Sequence, residues 1–138
     1  MYLLDTNVIS ELRRVRPHGA VVAWLRTVAD TDLYISAVTV GELQAGIEIT
    51  RDQDPDRATH LQAWLDEVEG THNVLPMDAP AFRIWARLMH RRSDDLVEDA
   101  MIAATARAHN LVVVTRNIRD FADFGVQNFN PFLNEQSS

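Results

Sequence analysis

The chain has 138 residues, of which 46% are apolar, and it contains no cysteine. This composition suffices for one compact domain with its own core, and it excludes disulfides and thiolate metal sites. The net charge of -7 argues against a broad basic surface, and because all 13 basic residues are arginine, lysine-dependent chemistry is excluded as well.

Targeting and membrane signals are not found in the sequence. No apolar run reaches the ~20 residues that a transmembrane helix needs. The N-terminus lacks the basic region and the long apolar region of a signal peptide. We therefore expect a cytoplasmic protein.

Short apolar runs alternate with longer helical stripes along the chain. In chain order they predict a strand at 2–4, a helix at 18–29, a strand at 33–36, a helix at 38–50, a polar turn at 52–56, a helix at 57–69, a strand at 73–75, helices at 82–89 and 96–109, a strand at 111–115 and a last strand at 125–129. Alternating strands and helices indicate a mostly parallel sheet that is covered on both faces. We expect a single domain over residues 1–138 with a three-layer α/β/α sandwich.

Three carboxylates lie in apolar parts of the sequence. Asp5 ends the first strand, and Glu42 and Asp99 lie in the first turns of helices. In parallel sheets, sites form beyond the carboxyl ends of the strands, where Thr115 and Asn117 also follow a predicted strand. These positions indicate a common site.

Helix capping is the alternative explanation for the first two acids. Asp5 fits the N-cap of a helix that begins near Thr6. Thr39 and Glu42 have the spacing of a capping box. Either acid, taken singly, is explained by this role.

Capping explains the third acid less well. Asp95 and Glu98 resemble a carboxylate version of the capping box, which assigns Glu98 to the cap and the surface. Asp99 is then redundant as a cap. Because it shares its helix surface with apolar residues, we expect it to be partly buried.

Convergence of Asp5, Glu42 and Asp99 would require a cation. Two carboxylates ~4 Å apart repel by about 4 kcal/mol at an effective dielectric constant near 20, so they must raise a pKa or bind a metal. Without cysteine or a paired-histidine motif the ligands are oxygens, which favours Mg²⁺ or Mn²⁺ over zinc. Such an ion suits phosphate chemistry, and a metal-dependent nuclease follows as the hypothesis.

Four blocks of the sequence resemble those of a known family. They are "LLDTNVISE" at 3–11, "SAVTVGELQAG" at 36–46, "DAMIAATARAHNLVVVTRNIRDF" at 99–121 and "NFNPF" at 128–132. In this order and spacing they are similar to PIN-domain ribonucleases, and in particular to VapC-type toxins of bacterial toxin–antitoxin pairs. The resemblance spans essentially the whole chain.

The resemblance implies a PIN-like sandwich with an acidic Mg²⁺ or Mn²⁺ site and endonucleolytic cleavage of structured RNA, often tRNA or ribosomal RNA. By motif, Asp5 and Asp99 match the direct metal ligands. Glu42 matches the acid that holds a water of the metal or a second, weaker metal. Thr6 and Thr115 match the polar neighbours that support the site.

One position departs from the family pattern. Asn117 falls where many relatives carry a fourth acid, which leaves the second metal open, although its amide oxygen can still coordinate. Asp120 is the alternative fourth acid, against a simple turn or helix-start role. Arg116 borders the site and is the first candidate for RNA phosphate contact, against a solvated surface role.

The resemblance also implies partners. These are a second copy of the chain, giving a homodimer, and a VapB-type antitoxin in a larger complex that binds operator DNA only through the antitoxin. The resemblance further implies that an antitoxin arginine enters the acidic site. The helices at 38–50 and 57–69 resemble the clamp that grips the antitoxin, with candidate walls Leu43, Ile47, Leu61, Trp64 and Leu65. For Leu61 and Leu65 a core role is the favoured interpretation.

Two other functions agree with part of the sequence. A catalytically weak PIN-fold subunit that acts mainly in an antitoxin-bound, DNA-binding complex is kept open by Asn117. A phospho-aspartate domain also places an aspartate after a strand. The lack of lysine, and of a second aspartate two residues after Asp5, argues against that class.

Overall fold

Five strands form one parallel sheet in the computed structural model, which describes residues 1–133. The strands are β1 (Tyr2–Leu4), β2 (Leu33–Ser36), β3 (Asn73–Leu75), β4 (Val112–Val114) and β5 (Asn128–Phe129). Their order is β3-β2-β1-β4-β5, and each neighbouring pair is parallel. Because β1 is central, the residue that follows it lies in the middle of the carboxyl edge.

Within residues 1–133, seven helices connect and cover the strands. They are α1 (Thr6–Glu11), α2 (Gly19–Leu25), α3 (Ala37–Gln53), α4 (Pro55–Thr71), α5 (Ala79–Met89), α6 (Val97–His109) and α7 (Ile118–Asp123), with short 3-10 turns at Asp30–Asp32 and Asp94–Leu96. No helix within residues 1–133 is both long and apolar enough to cross a membrane.

Neighbouring residues of β1 point to opposite faces of the sheet, as the period of a strand requires. Leu3 packs with Val113 and with buried residues of α5, α6 and α7 on one face. Leu4 packs with Val114 and with buried residues of α1, α2 and α4 on the other. Two apolar clusters on a two-sided sheet confirm the predicted three-layer α/β/α sandwich.

The long α3–α4 pair differs from its prediction. The polar segment at 52–56 was expected to be a turn, but α3 continues through it to Gln53 and α4 begins at Pro55. Asp54 alone separates the helices, and its side chain accepts a hydrogen bond from the backbone N–H of Arg57 at 3.1 Å. Proline is favoured in the first helical turn, because a backbone N–H there has no partner within the helix. The segment therefore starts a helix rather than breaking one.

Two shorter elements also differ. The helix predicted at 18–29 ends at Leu25, and α7 was not predicted as an element. The strand predicted at 125–129 is only Asn128–Phe129, because Gly125 has a φ of 71° and ends the preceding turn. Glycine adopts this left-handed conformation without steric cost.

Candidate active site

Asp5 lies at the carboxyl end of β1 and is 3% exposed. Its Oδ1 accepts a hydrogen bond of 2.8 Å from the backbone N–H of Thr6, so it does cap α1. Its Oδ2 accepts from the hydroxyl of Thr115 at 2.8 Å and from the amide of Asn7 at 3.1 Å. The cap role and the site role therefore belong to different oxygens of one buried carboxylate.

Thr115, at the end of β4, fixes Asp5 from the neighbouring strand. Its side chain is fully buried, and its hydroxyl both donates to Asp5 and accepts from the backbone N–H of Asn117 at 2.9 Å. Its own backbone N–H donates to the carbonyl of Phe129 in β5. The hydroxyl thus couples the buried carboxylate to the loop between β4 and α7.

Glu42 is brought to the same edge by α3. Its Oε1 accepts a hydrogen bond of 2.8 Å from the hydroxyl of Thr6, which also lies 3.1 Å from the hydroxyl of Thr39. The capping-box interpretation of Thr39 and Glu42 is wrong. The N-cap of α3 is Ser36, whose side chain accepts from the N–H of Val38, because β2 ends there and the helix starts three residues earlier than the box requires.

Asp99 lies in the first turn of α6 and is half-buried, whereas Glu98 beside it is exposed. Both degrees of burial agree with the sequence prediction. The cap interpretation of Asp95 is wrong, because Leu96 occupies the N-cap position of α6 and no side chain caps the helix there. Asp99 consequently has no capping function, and its burial needs another explanation.

Burial raises the pKa of each carboxylate at this edge, and neighbouring charges add to the effect for Asp99 and Glu42. Burial and the charges of Asp5, Asp120, Glu42 and Glu98 raise the pKa of Asp99 to about 6. Burial also raises the pKa of Asp5 above its usual value, against the opposing effect of its three hydrogen bonds. For Glu42, burial raises the pKa, the Thr6 hydrogen bond lowers it, and the Asp5 and Glu98 charges raise it further.

These carboxylates have no cationic partner among the ion pairs of the described residues. Those pairs join Arg14 to Glu11 and Arg51 to Glu48, away from the carboxyl edge. Residues 1–133 also hold no group of three or more Asp, Glu, His or Cys side chains placed to ligate one ion directly. The donor set therefore fits a hard divalent cation that keeps most of its water ligands, as Mg²⁺ commonly does, and does not fit a closed structural metal centre.

The loop after β4 places three further predicted residues. Asn117 is exposed and contacts the cluster through its backbone N–H, which donates to the hydroxyl of Thr115. Asp120 is exposed on α7, yet its charge is near enough to raise the pKa of Asp99. Arg116 is exposed, and its guanidinium lies over the ring of Phe132, 3.8 Å from the centroid.

Asn7 is a site residue that the sequence reasoning missed. Its side chain donates to Asp5, and its Oδ1 accepts from the backbone N–H of Arg116 at 3.2 Å, across 109 residues of sequence. It links α1 to the β4–α7 loop. The sequence "DTN" at 5–7 includes this asparagine, but no local pattern identifies a hydrogen-bond partner so distant in the chain.

A groove between α3 and α4 opens beside Glu42. Its volume is about 290 Å³, and its walls are Arg13, Glu42, Leu43, Gly46, Ile47, Thr50, Arg57, Leu61 and Trp64. A second recess of about 470 Å³ shares Arg13, Arg57, Leu61 and Trp64 with it and continues towards Asp54 and His60. We call this continuous surface the α3–α4 groove.

The candidate antitoxin-binding residues divide between this groove and the core. Leu43 and Trp64 are half-buried and line the groove, as does Leu61, for which a core role was favoured. Ile47 contributes to a wall but is 3% exposed and packs with the core. Leu65 is 1% exposed, so its predicted core position is confirmed.

Comparisons with known proteins agree with this architecture. The PIN domain model matches residues 2–126. The toxin FitB of Neisseria gonorrhoeae is 37% identical, over 96% of this chain and 99% of its own. The VapC ribonuclease Y4jK of Sinorhizobium fredii is 40% identical, over 96% of this chain and 98% of its own.

Solved structures give the same result. The crystal structure of FitAcB from Neisseria gonorrhoeae superposes with a TM-score of 0.86 at 36% identity, covering 97% of this chain and 100% of that one. A structure of FitAB bound to an IR36 DNA fragment superposes with a TM-score of 0.75 at 36% identity and covers 98% of each chain. The chain therefore belongs to the PIN domain family, in the branch that contains the toxin FitB and the VapC ribonuclease Y4jK.

Proposed function

We propose that this protein is the toxic component of a type II toxin–antitoxin system and that it acts as a metal-dependent endoribonuclease in the cytoplasm, with residues 1–138 as a single PIN domain. The observation that carries the proposal is the cluster of Asp5, Glu42 and Asp99. Their pKa values are raised at one edge of the sheet, and none of the ion pairs of residues 1–133 involves them. Perturbed carboxylates in a cleft are typical of functional sites.

Asp5 and Asp99 are the proposed direct ligands of Mg²⁺, with Mn²⁺ as the alternative. Such an ion supplies an activated water and stabilises negative charge on the phosphoryl oxygens. The protein contributes the positions of the carboxylates. Thr115 holds one oxygen of Asp5, and Thr6 holds Glu42, whose raised pKa suits proton acceptance from an attacking water.

RNA is the proposed substrate, with tRNA or ribosomal RNA as the proposed class of target. This rests on the family and on the ribonuclease name of the relative Y4jK. The net charge of -7 disfavours binding of a polyanion unless local positive charge is present. Arg116 at the rim of the carboxylate cluster supplies such a charge from the protein itself.

A VapB-type antitoxin is the proposed inhibitor, and the α3–α4 groove is its proposed binding surface. The groove walls combine apolar side chains with Arg13 and Arg57 and include Glu42, so a segment lying in it can reach the carboxylates with an arginine. The related toxin chain of FitAB is seen in a complex on DNA. By analogy we propose a homodimer that joins its antitoxin in a larger complex and contacts operator DNA only through the antitoxin.

The test is RNA cleavage by protein that has been freed of antitoxin. With Mg²⁺ or Mn²⁺ we expect tRNA or ribosomal RNA to be cut, and Asp5→Ala and Asp99→Ala to abolish the activity. Asp30→Asn is the matched control, because Asp30 is exposed at the amino end of β2, on the opposite edge of the sheet. An Asp99→Ala protein that cut the same RNA at the wild-type rate would refute the assignment.

One observation favours a second function. Asn117 stands where the family resemblance leads us to expect a fourth acid, so the site has one carboxylate fewer. The alternative is a catalytically weak subunit that acts mainly in the antitoxin-bound, DNA-binding complex. Calorimetric titration with Mn²⁺ separates the two, since absence of binding at millimolar metal would favour the inactive subunit.

A further inference from the structure

The aromatic ring of Phe132 lies beneath the guanidinium of Arg116, with 3.8 Å between the Cζ atom and the ring centroid. We propose that Phe132 is a positioning residue that holds Arg116 as a phosphate-binding group for RNA at the rim of the carboxylate cluster. The inference rests on the proposed ribonuclease function and adds a residue that orients its candidate phosphate-binding arginine.

The backbone of Arg116 is fixed against the cluster. Arg116 follows Thr115, whose hydroxyl donates to Asp5, and its own N–H donates to the side chain of Asn7. Asn7 in turn donates to Asp5. The arginine therefore begins at a rigid point beside the carboxylates, and only its long side chain needs a further support.

Stacking supplies that support without using the hydrogen-bond donors. The N–H groups of a guanidinium lie in its plane, whereas an aromatic ring contacts its face. Arg116 is exposed, and within residues 1–133 its guanidinium takes part in no salt bridge. Its in-plane donors can therefore bind a phosphate in the bidentate manner that arginine favours.

Phe132 is itself held from two sides. Its backbone N–H donates to the side chain of Asn130 at 2.9 Å, in the segment that follows β5. Its half-buried ring meets the imidazole of His18 edge to face, with 5.2 Å between the centroids. His18 is fixed in turn, because its backbone N–H donates to the buried carboxylate of Glu11 at 2.9 Å.

The contact between Phe132 and His18 indicates the direction of the bound RNA. His18 follows the connection between α1 and α2, which carries exposed arginines at positions 13, 14 and 16. A strand that meets the carboxylates and Arg116 would continue over Phe132 towards this connection. Positive charge along one path is the expected footprint for a phosphate backbone in a protein of net charge -7.

Cleavage kinetics with tRNA test the proposal through four variants. We expect Phe132→Leu to raise KM about 3- to 10-fold with little change in kcat, since the loss of stacking frees the guanidinium. Phe132→Tyr, which keeps the aromatic face, should retain the wild-type KM. Arg116→Ala and the double variant Arg116→Ala/Phe132→Leu should both raise KM by the same factor as Phe132→Leu or by slightly more, because the two residues act as one unit.

Phe82→Leu is the matched control, because Phe82 is 45% exposed on α5 and no arginine of the described residues stacks on it. Thermal unfolding and Mn²⁺ titration of each variant report on folding and on the carboxylates. A Phe132→Leu protein with wild-type KM would overturn the inference, as would an equal effect of Phe82→Leu.

Binding of fluorescein-labelled tRNA separates this inference from the proposed nuclease activity. It is measured by fluorescence anisotropy in an Asp99→Asn background, so it needs no turnover. We expect Arg116→Ala and Phe132→Leu to weaken binding, and Arg116→Ala to reduce the slope of log affinity against log salt by about 0.7 to 0.9, the value of one phosphate contact. Unchanged affinity and slope would refute the role of the pair even if the enzyme cleaves RNA. A protein that binds as expected but never cleaves would refute only the nuclease.

Discussion

The hydroxyl of Thr6 donates a hydrogen bond of 2.8 Å to Glu42, which lies 36 residues further along the chain. This bond ties the first residue of α1 to the second turn of α3. It also lowers the pKa of Glu42 against the raising effect of burial. A single hydroxyl thus sets both the position and the protonation of one carboxylate in the candidate site.

Replacing Thr6 by valine should release Glu42. Since the bond stabilises the charged form, we expect the pKa of Glu42 in Thr6→Val to rise further, and RNA cleavage at pH 7 to fall about 10-fold, within the range of a misplaced general base. NMR titration of the Glu42 carboxyl carbon measures the first effect. Thr6→Ser keeps the hydroxyl and should behave as wild type; a Thr6→Val protein with an unchanged Glu42 titration would contradict the assignment.

Thr115→Val tests the buried link between β4 and Asp5. The substitution keeps the shape of the side chain but removes a donor to Asp5 and an acceptor for the Asn117 N–H. We expect a loss of about 1 to 3 kcal/mol in the free energy of unfolding, the usual effect of leaving a buried polar group unpaired. Urea unfolding measures it, and RNA cleavage should fall in parallel.

Thr105→Val is the matched control for that variant. Thr105 is equally buried, but its hydroxyl donates to the carbonyl of Met101 within α6. That carbonyl keeps its helical partner, so the stability loss should be smaller and cleavage unchanged. Equal losses of cleavage in both variants would show that Thr115 has no special role.

Asp99 should make the metal-free protein less stable as the pH rises. Its pKa is about 6 in the folded protein against an ordinary value of 3.8, so the folded state binds more protons than the unfolded state between these values. The free energy of unfolding in EDTA is therefore highest near pH 4 and declines until about pH 6. Asp5 and Glu42, whose pKa values are also raised, act in the same direction.

Asp99→Asn should remove part of this decline. The full rise in the pKa of Asp99 corresponds to about 3 kcal/mol in the free energy of unfolding. Because the side chain is half-buried, we expect about 1 kcal/mol after solvent screening. That amounts to a gain of about 4 °C in Tm at pH 7.5 for a domain of this size. Thermal unfolding in EDTA from pH 4 to 8 measures it; equal slopes in both proteins would contradict the prediction.

Asn117→Asp should add the fourth acid that the family resemblance leads us to expect. We expect Mn²⁺ to bind about 10-fold more tightly, since a charged ligand replaces a neutral one. Without metal the added charge near Asp99 should lower stability by repulsion. Calorimetric titration and thermal unfolding measure the two effects. An unchanged Mn²⁺ affinity in Asn117→Asp would place position 117 outside the metal site.

The α3–α4 groove should be separable from the core beneath it. Leu61→Asp places a charge on the groove wall and should abolish antitoxin binding while the protein stays folded. Leu65→Ala removes buried apolar volume and should cost about 2 to 5 kcal/mol of stability. Ile49→Asp, at a position on α3 that is 64% exposed and does not line the groove, is the control. Co-purification with antitoxin and urea unfolding distinguish the cases.

The strands and the three acids could be predicted from local sequence, because burial and periodicity are local signals. Tyr2–Leu4, Leu33–Ser36 and Asn73–Leu75 have their predicted bounds. Capping could not be assigned so well, since Ser36 and Thr39 lie three residues apart and both are good caps. The end of β2 decides between them, and that end is set by pairing with β3.

Contacts between distant parts of the chain could not be predicted from any window of sequence. Asn7 meets Arg116 across 109 residues, and α7 places Asp120 near enough to act on Asp99. Each contact depends on the order of the strands, which brings the ends of β1 and β4 together. The residue types at the site were readable, whereas their partners required the fold.

The central position of β1 has a consequence for synthesis of the chain. Asp5 precedes Thr115, whose hydroxyl donates to it, by 110 residues, and β1 pairs with β4 of the same later segment. A nascent or truncated chain that stops before β4 lacks Thr115, the loop after it and one side of the sheet. The carboxylate cluster is thus completed only after β4 and Thr115 have been synthesised, so a chain that stops earlier lacks the complete site.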